Sequence, residues 1–256
     1  RSADAYRRIR NTIRFLLGNL HDYEDKKNAL NIQDLTELDK WMMLRIKNLQ
    51  NEIIKDYGNY QFHIVFQKIQ NFCTNELGGF YLDILKDRLY TSKDNSNARR
   101  SSQTVLYKIL GFLLRAIAPI LSFTAEEAWR LFNPKSDSIF LEEWLNDWPI
   151  ISERAITDED WKLLLDLRSE VNKALEDSRI SGMIGSSLDA ELNLYCSSEI
   201  FSILKKFSEE LRFIFITSEA KIFPFDGKGL KTGIEGFRLE ISKSQYKKCE
   251  RCWHSR

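Results

Sequence analysis

The chain has 256 residues, of which 43% are hydrophobic and 12% aromatic, with only 4 prolines and 11 glycines. This composition excludes a disordered chain and favours helices over a turn-rich all-β fold, and the length predicts two or more units. The formal net charge of +1 does not demand an anionic partner. No stretch reaches the roughly 18 apolar residues that a membrane span needs.

The first predicted helix has two distinct faces. Ser2 is its candidate N-cap. Apolar residues recur along it at helical spacing and predict one buried stripe: Ala5, Ile9, Ile13, Leu16 and Leu20. At about 100° per residue, Arg7, Arg10 and Arg14 fall together on another face. The helix is therefore predicted to have a core side and an arginine side.

Helical periodicity continues through the first 150 residues or so. It predicts further helices over residues 38–58, 62–90 with a bend at Gly78-Gly79, 98–118, and 124–132. The last of these opens with Thr124 and Glu127 at capping-box spacing. The polar stretch TSKDNSN before residue 98 is typical of a loop. These helices are expected to pack as an antiparallel bundle.

The pattern changes after about Pro149. Acidic residues that follow Thr157 predict the start of a helix, which ends before Gly182. Alternating apolar residues predict a strand over 188–196, and a short helix follows at about 200–207. We interpret LRFIFITS, KIFPF and GFRLEIS as further strands. The sequence thus predicts a small α+β unit.

No complete active site is visible in the sequence. It contains no histidine pair at catalytic or metal-binding spacing, no phosphate loop of the form G-x-x-x-x-G-K-[ST] and no nucleophile elbow. Positive charge is instead clustered in three places: Arg1, Arg7, Arg8, Arg10 and Arg14; then Lys86, Arg88, Lys93, Arg99 and Arg100; then Lys247, Lys248, Arg251 and Arg256. Such clusters can bind a polyanion, because phosphate contact depends on local charge. The alternative is that they are solvated helix faces.

The four cysteines fall into two classes. Cys73 and Cys196 lie in apolar patterns and are predicted to be reduced core residues of a cytosolic protein. Cys249 and Cys252 have C-x-x-C spacing, which lets one tight turn supply two ligands of a tetrahedral zinc site. His254 offers a third ligand but no fourth is visible, so we predict no stoichiometric zinc. The alternative is a pair of chance cysteines.

Five stretches together resemble the C-terminal part of bacterial isoleucyl-tRNA synthetases: SADAYRRIRNTIRFLLGNL, FYLDILKDRLY, RRSSQTVLY, APILSFTAEEAW and KCERCWH. The resemblance covers essentially the whole chain. It implies a helical anticodon-binding bundle of the class I synthetase type at 1–150, a small α+β junction domain at 151–246, and the start of a zinc-binding tail at 247–256. A second C-x-x-C completes a four-cysteine zinc site in this family. The half site and the absent starting Met therefore predict a fragment.

The resemblance also implies a role in tRNA recognition. The full enzyme of this family charges tRNA(Ile) with isoleucine, using ATP and magnesium at its catalytic domain. The His-x-Gly-His and KMSKS signatures of that domain do not occur here, so we expect this region to hold tRNA and not to catalyse. The implied partners are tRNA(Ile) and the N-terminal catalytic core of the same enzyme. We expect a cytoplasmic monomer without membrane contact.

Candidate site residues follow from the matched stretches. Arg7, Arg8, Arg10 and Arg14 are candidates for contact with the tRNA backbone, or they brace the catalytic core. Two roles are open for basic residues of the second cluster, contact with phosphate or pairing with a carboxylate: Lys86, Arg88, Arg99 and Arg100. Trp253 lies near the anticodon or packs on the zinc site, whose first ligands are Cys249 and Cys252. The alternatives are the same region of a valine or leucine synthetase, or a helical protein-interaction module without RNA affinity.

Overall fold

The computed structural model describes residues 2–150, 157–208 and 210–255. The chain divides into two compact units, Arg1–Ala155 and Ile156–Arg256. The first is helical, and the second combines helices with a four-stranded sheet. This order confirms the predicted fold class. None of the helices in the described residues is long and apolar enough to cross a membrane.

The first unit is a helical bundle built around one central helix. Its helices are α1 (Ser2–Asn19), α2 (Asp25–Asn28), α3 (Glu37–Gly58), α4 (Phe62–Asn71), α5 (Leu82–Thr91), α6 (Asn97–Ile117) and α7 (Ser122–Phe132), with short 3-10 turns at Ile32–Asp34 and Ile139–Leu141. The central helix is α6, which is buried along most of its length and packs against α1, α3, α5 and α7. Burial of its apolar side chains supplies much of the hydrophobic stabilisation of the bundle.

A π-helix, Phe72–Tyr81, joins α4 to α5. The sequence predicted one helix bent at Gly78-Gly79, and the structure has a continuous helical path that widens there. A Cβ atom at Gly78 would lie 3.0 Å from the carbonyl oxygen of Cys73. This close approach explains why the widened turn uses glycine.

The capping box predicted at Thr124 and Glu127 is wrong. The N-cap of α7 is Leu121, which has no capping side-chain hydrogen bond. The chain turns tightly after α6, because the Leu121 N–H donates to the Ile117 carbonyl at 2.7 Å. The helix therefore begins before Thr124. The Thr124 hydroxyl instead lies 3.2 Å from that of Tyr6 in α1.

The second unit packs helices beside a mixed sheet. Its elements are α8 (Asp158–Ile180), a 3-10 turn (Ser187–Asp189), β1 (Ala190–Cys196), α9 (Ser198–Lys206), α10 (Leu211–Ile214), β2 (Glu219–Pro224), β3 (Leu230–Lys231) and β4 (Phe237–Lys243). The strand order is β2-β1-β4-β3, in which β1 runs parallel to β2 and antiparallel to β4. Thr157 and Asp160 form a capping box that starts α8, close to the predicted boundary.

Two of the three late strands are confirmed, and one is wrong. KIFPF overlaps β2 except for its last residue, and GFRLEIS overlaps β4 except for its first. LRFIFITS instead contains the short helix α10, because Leu211, Ile214 and Phe215 are buried at helical spacing. Ile216 then adopts a left-handed backbone with φ of 54°, and the Thr217 N–H donates to the Arg212 carbonyl at 2.9 Å. A continuous apolar run does not distinguish a strand from a helix.

Candidate nucleic-acid interface

The arginines of α1 lie away from its buried stripe. Ala5, Ile9, Ile13 and Leu16 are buried, whereas Arg7, Arg8, Arg10 and Arg14 are exposed. Arg7 Nη1 donates to Asp4 Oδ1 at 3.1 Å in an exposed pair. Among the described residues, no carboxylate lies within ion-pair distance of Arg8, Arg10 or Arg14. Arg1, which the sequence placed in the same cluster, lies outside the described residues. Like charges on one helix face repel, so an anionic partner would stabilise this face.

Arg88 faces the interior of the bundle, where Asp39 neutralises it. The exposed fractions of the two side chains are 3% and 0%, and Arg88 Nη1 lies 3.4 Å from Asp39 Oδ2. Asp39 also accepts hydrogen bonds from the hydroxyls of Tyr81 at 2.6 Å and Ser101 at 2.5 Å. A buried charge needs such compensation. The cluster joins α3, α5 and α6.

Arg99 and Arg100, in the first turn of α6, are buried against Asp22, which follows α1. Arg99 Nη2 lies 3.0 Å from Asp22 Oδ1, Arg100 Nη1 lies 3.4 Å from Oδ2, and Gln103 Nε2 donates to Oδ1 at 2.8 Å. The hydrogen bond from Arg99, supported by Gln103, holds the pKa of the Asp22 carboxyl well below its usual range, although desolvation opposes this. Arg99 Nε also donates to the Leu89 carbonyl at 3.3 Å, so the cluster ties α5 and the segment after α1 to α6.

Three of the arginines that the sequence named as possible RNA contacts are therefore ion-paired interior residues. The exposed fractions of Arg88, Arg99 and Arg100 are 3%, 6% and 9%. Of the two roles left open by the sequence, contact with phosphate or pairing with a carboxylate, the structure shows pairing. Their guanidinium groups are not presented to an RNA backbone. Lys86 differs, because it is exposed and bonded to Asp83 at 2.9 Å on the surface of α5.

The C-terminal residues form a closed turn. Lys248 and Ser255 pair in an antiparallel bridge, and the Cys249 N–H donates to the His254 carbonyl at 2.8 Å. Within this turn the Trp253 N–H donates to the Cys249 carbonyl at 2.9 Å. The Trp253 indole is 62% exposed, and Lys248 Nζ lies 5.7 Å from its ring centroid. An exposed indole next to a cation is suited to stacking on a nucleobase.

The described residues do not complete a zinc site around this turn. Cys249 and Cys252 are both half-buried on the same loop, as the C-x-x-C spacing requires. Residues 2–150, 157–208 and 210–255 contain no group of three or more His, Cys, Asp or Glu side chains placed to hold one ion. Two thiolates do not close a tetrahedron. The absence of stoichiometric zinc stays a prediction.

Comparison with known proteins identifies the family. A family model for the anticodon-binding domain of tRNA ligases matches residues 39–194, which run from α3 into β1. The chain belongs to this anticodon-binding domain family. Similar proteins include the isoleucine--tRNA ligases of Legionella pneumophila (strain Corby), 49% identical, Coxiella burnetii (strain RSA 331 / Henzerling II), 47% identical, and Idiomarina loihiensis, 48% identical. Each match covers 100% of this chain and 28% of the relative. These relatives confirm the resemblance seen in the sequence.

Two residues that organise this anticodon-binding chain were missed by the sequence reasoning. Asp39 precedes Met42 by three residues and Ile46 by seven, so all three lie on the buried stripe of α3. A carboxylate on an apolar stripe predicts a buried cationic partner, so this signal was available. Asp22 lies in an irregular segment after α1 and has no comparable signal. Its role appears only once α6 is packed beside it.

Proposed function

We propose that this chain is the tRNA-binding region of an isoleucine--tRNA ligase. The observation that carries the proposal is the exposed arginine face of α1, which lacks carboxylate partners for Arg8, Arg10 and Arg14 among the described residues, in a chain of the anticodon-binding family. Arginines on such a face neutralise backbone phosphates and fix the register of the RNA. Unpaired anticodon bases are then recognised by stacking and by hydrogen bonds to their edges. Trp253 and Lys86 are further candidate contacts.

The rest of the proposal concerns a whole ligase, because this chain spans only 28% of the length of the relatives that it matches. We infer that the full-length protein charges tRNA(Ile) with isoleucine and uses ATP and magnesium at a catalytic domain. We infer separately that Cys249 and Cys252 contribute to a zinc site in the C-terminal tail of that protein. The present chain would position the RNA and perform no chemistry. The catalytic core of the same ligase would be its protein partner. The enzyme would act as a cytoplasmic monomer.

The test is a titration of tRNA(Ile) with the wild-type chain and with the double variant Arg10→Ala/Arg14→Ala, at several salt concentrations. We expect weaker binding and a shallower dependence on salt, with the slope of log K against log salt reduced by about 0.9 for each phosphate that is no longer neutralised. Arg179→Ala is the matched control, because Arg179 is also an exposed helical arginine but is bonded to Glu176 at 2.6 Å. Unchanged affinity and slope in the double variant would remove α1 from the interface.

A tRNA with a substituted anticodon tests specificity in the same assay. Preference for the isoleucine anticodon supports the isoleucine enzyme, as the similarity to isoleucine--tRNA ligases leads us to expect. Preference for a valine or leucine anticodon would favour the corresponding synthetase. Equal binding would assign a phosphate-binding role alone to this chain.

A protein-interaction role is the second candidate. Three large apolar side chains on or near α7 are widely exposed: Phe123 at 94%, Leu131 at 71% and Leu141 at 75%. Exposed apolar residues of this size favour contact with another protein surface when they are contiguous. This candidate predicts RNA affinity that is weak and independent of Arg10 and Arg14. The salt titration above therefore separates the two candidates.

A further inference from the structure

We propose that the open face of the sheet in the second unit is a stacking surface for unpaired nucleobases of RNA. The proposal rests on the proposed function, because RNA is then the partner of this chain. It concerns residues of β1, β2 and β4 and the loop after β2, none of which the sequence singled out as a candidate site residue.

The strand register places three suitable side chains in one row. Tyr195 of β1 pairs with Phe223 of β2 on one side and with Arg238 of β4 on the other. Directly paired residues project from the same face of a sheet. The neighbouring residues Leu194 and Leu239 are buried on the opposite face, against the core of this unit. The row therefore belongs to the side of the sheet that the core does not cover.

The aromatic rings in this row are held in fixed positions. The rings of Tyr195 and Phe223 are stacked, with centroids 5.6 Å apart and an interplanar angle of 29°. The Tyr195 hydroxyl donates to Glu240 Oε2 at 3.1 Å. Phe223 remains 37% exposed at the edge of the sheet. Rings that are already ordered lose little entropy when a base stacks on them.

The loop after β2 adds a third ring. Phe225 is 44% exposed, and the guanidinium carbon of Arg238 lies 5.8 Å from its ring centroid. Arg238 Nη1 donates to the Gly227 carbonyl, which fastens the loop to β4. Gly229 has a φ of +83°, and a Cβ atom there would lie 3.2 Å from Tyr195 Cδ2 and 2.8 Å from the Leu239 carbonyl. Glycine thus lets the loop approach the Tyr195 ring closely.

The charges around these rings favour stacking over phosphate attraction. Lys221 is bonded to Glu219 at 2.8 Å, and Lys228 to Asp226 at 2.9 Å. These two lysines are thus already ion-paired. Lys231, the strand partner of Arg238, adds a cation and Glu240 adds a carboxylate, so opposite charges largely offset one another and this face has little net attraction for a polyanion. Aromatic rings bind bases irrespective of sequence because every base has a π face, and an adjacent guanidinium adds to the interaction.

The experiment measures binding of the chain to a tRNA(Ile) transcript and to a single-stranded RNA of about ten nucleotides that contains 2-aminopurine. Phe223→Ala and Phe225→Ala should each weaken binding to the single strand at least about fivefold. They should also reduce the quenching of 2-aminopurine fluorescence. The dependence on salt should stay that of the wild type. Phe123→Ala makes the same substitution at an exposed site of the first unit and should change neither the affinity for the single strand nor the quenching.

Two further variants keep the test independent of folding. Phe223→Leu preserves an apolar side chain at the sheet edge and should lose the same affinity as Phe223→Ala. Phe223→Trp preserves an aromatic surface and should retain it. Unchanged quenching and affinity in Phe223→Leu and Phe225→Ala would overturn the inference, as would an effect that appears only as a shallower salt slope.

The outcomes also separate this inference from the proposed function. Failure of the wild-type chain to bind tRNA(Ile) at low salt would overturn the proposed function and this inference with it. Binding that depends on Arg10 and Arg14 but not on Phe223 or Phe225 would overturn the inference alone. Dependence on the rings without dependence on the arginines would move the RNA interface from α1 to the sheet.

Discussion

Two arginine clusters in the helical unit look alike in the sequence and differ in the structure. Arg7, Arg10 and Arg14 lie on an exposed face of α1, whereas Arg99 and Arg100 are buried against Asp22 at the start of α6. The number of positive charges is similar, but Asp22 pairs with both arginines of the second cluster, whereas in the first cluster only Arg7 has a carboxylate partner, the exposed Asp4. The comparison shows that clustered charge in a sequence is available to a partner only where the fold leaves that charge exposed, and the RNA interface proposed on α1 depends on this exposure.

The largest expected effect is on the buried pair of Arg88 and Asp39. Asp39→Asn removes the charge that neutralises Arg88, whose side chain is 3% exposed. We expect the free energy of unfolding to fall by about 3 to 5 kcal/mol, because a buried cation is left uncompensated. Urea denaturation measures it. Asp83→Asn, which breaks the exposed pair with Lys86, should cost less than about 1 kcal/mol. If both variants lower the free energy of unfolding equally, burial does not make the Arg88–Asp39 pair more important for stability than the Lys86–Asp83 pair.

A smaller effect, with a defined pH dependence, is expected for Asp22→Asn. Arg99 and its neighbours hold the pKa of the Asp22 carboxyl well below its usual range, so ionisation of this group stabilises the folded state. That stabilisation is fully present above the unfolded pKa of about 4 and is lost as the pH falls through the folded pKa. We expect Asp22→Asn to lower the free energy of unfolding by about 2 kcal/mol at pH 7.

The pH series provides the control for this variant. The difference in the free energy of unfolding between wild type and Asp22→Asn should narrow once the pH falls below about 4, because the wild-type carboxyl becomes protonated in the unfolded state. Urea denaturation at several pH values measures the difference. If this difference in the free energy of unfolding stays constant down to about pH 3, the loss of stability comes from the altered hydrogen bonding of the side chain and not from its lost charge.

The smallest effect on stability is expected in the exposed cluster. Arg10→Ala and Arg14→Ala should each change the free energy of unfolding by less than about 0.5 kcal/mol, because neither side chain is ion-paired among the described residues and alanine favours helix. Thermal or urea denaturation measures this. A fall in stability comparable to that of Asp22→Asn would show that these arginines support the fold of the bundle, and would break the contrast between the two clusters.

Local patterns predicted most of the secondary structure. The apolar periodicity of α1, α3 and α6 and the alternation in β1 and β4 are properties of short segments, and the structure confirms them. The capping box at Thr124 and the strand at LRFIFITS failed for a physical reason. A tight turn closed by the Leu121 N–H starts α7 before Thr124. The LRFIFITS segment is helical because Leu211 and Ile214 are buried on one side of α10, which depends on packing against the rest of the unit.

The sequence by itself determined the type and order of most helices and strands, the buried faces of most of them, and the family, through stretches such as SADAYRRIRNTIRFLLGNL. Only the tertiary structure decided which cations are ion-paired inside the bundle and which stay exposed. Asp22 and Arg99 are 77 residues apart, and Asp39 and Arg88 are 49 residues apart. The same holds for Tyr195, Phe223 and Arg238, which become one row only through strand pairing. Helical and strand periodicity is written into neighbouring residues, whereas ion pairing and shared surfaces arise between segments that only folding brings together.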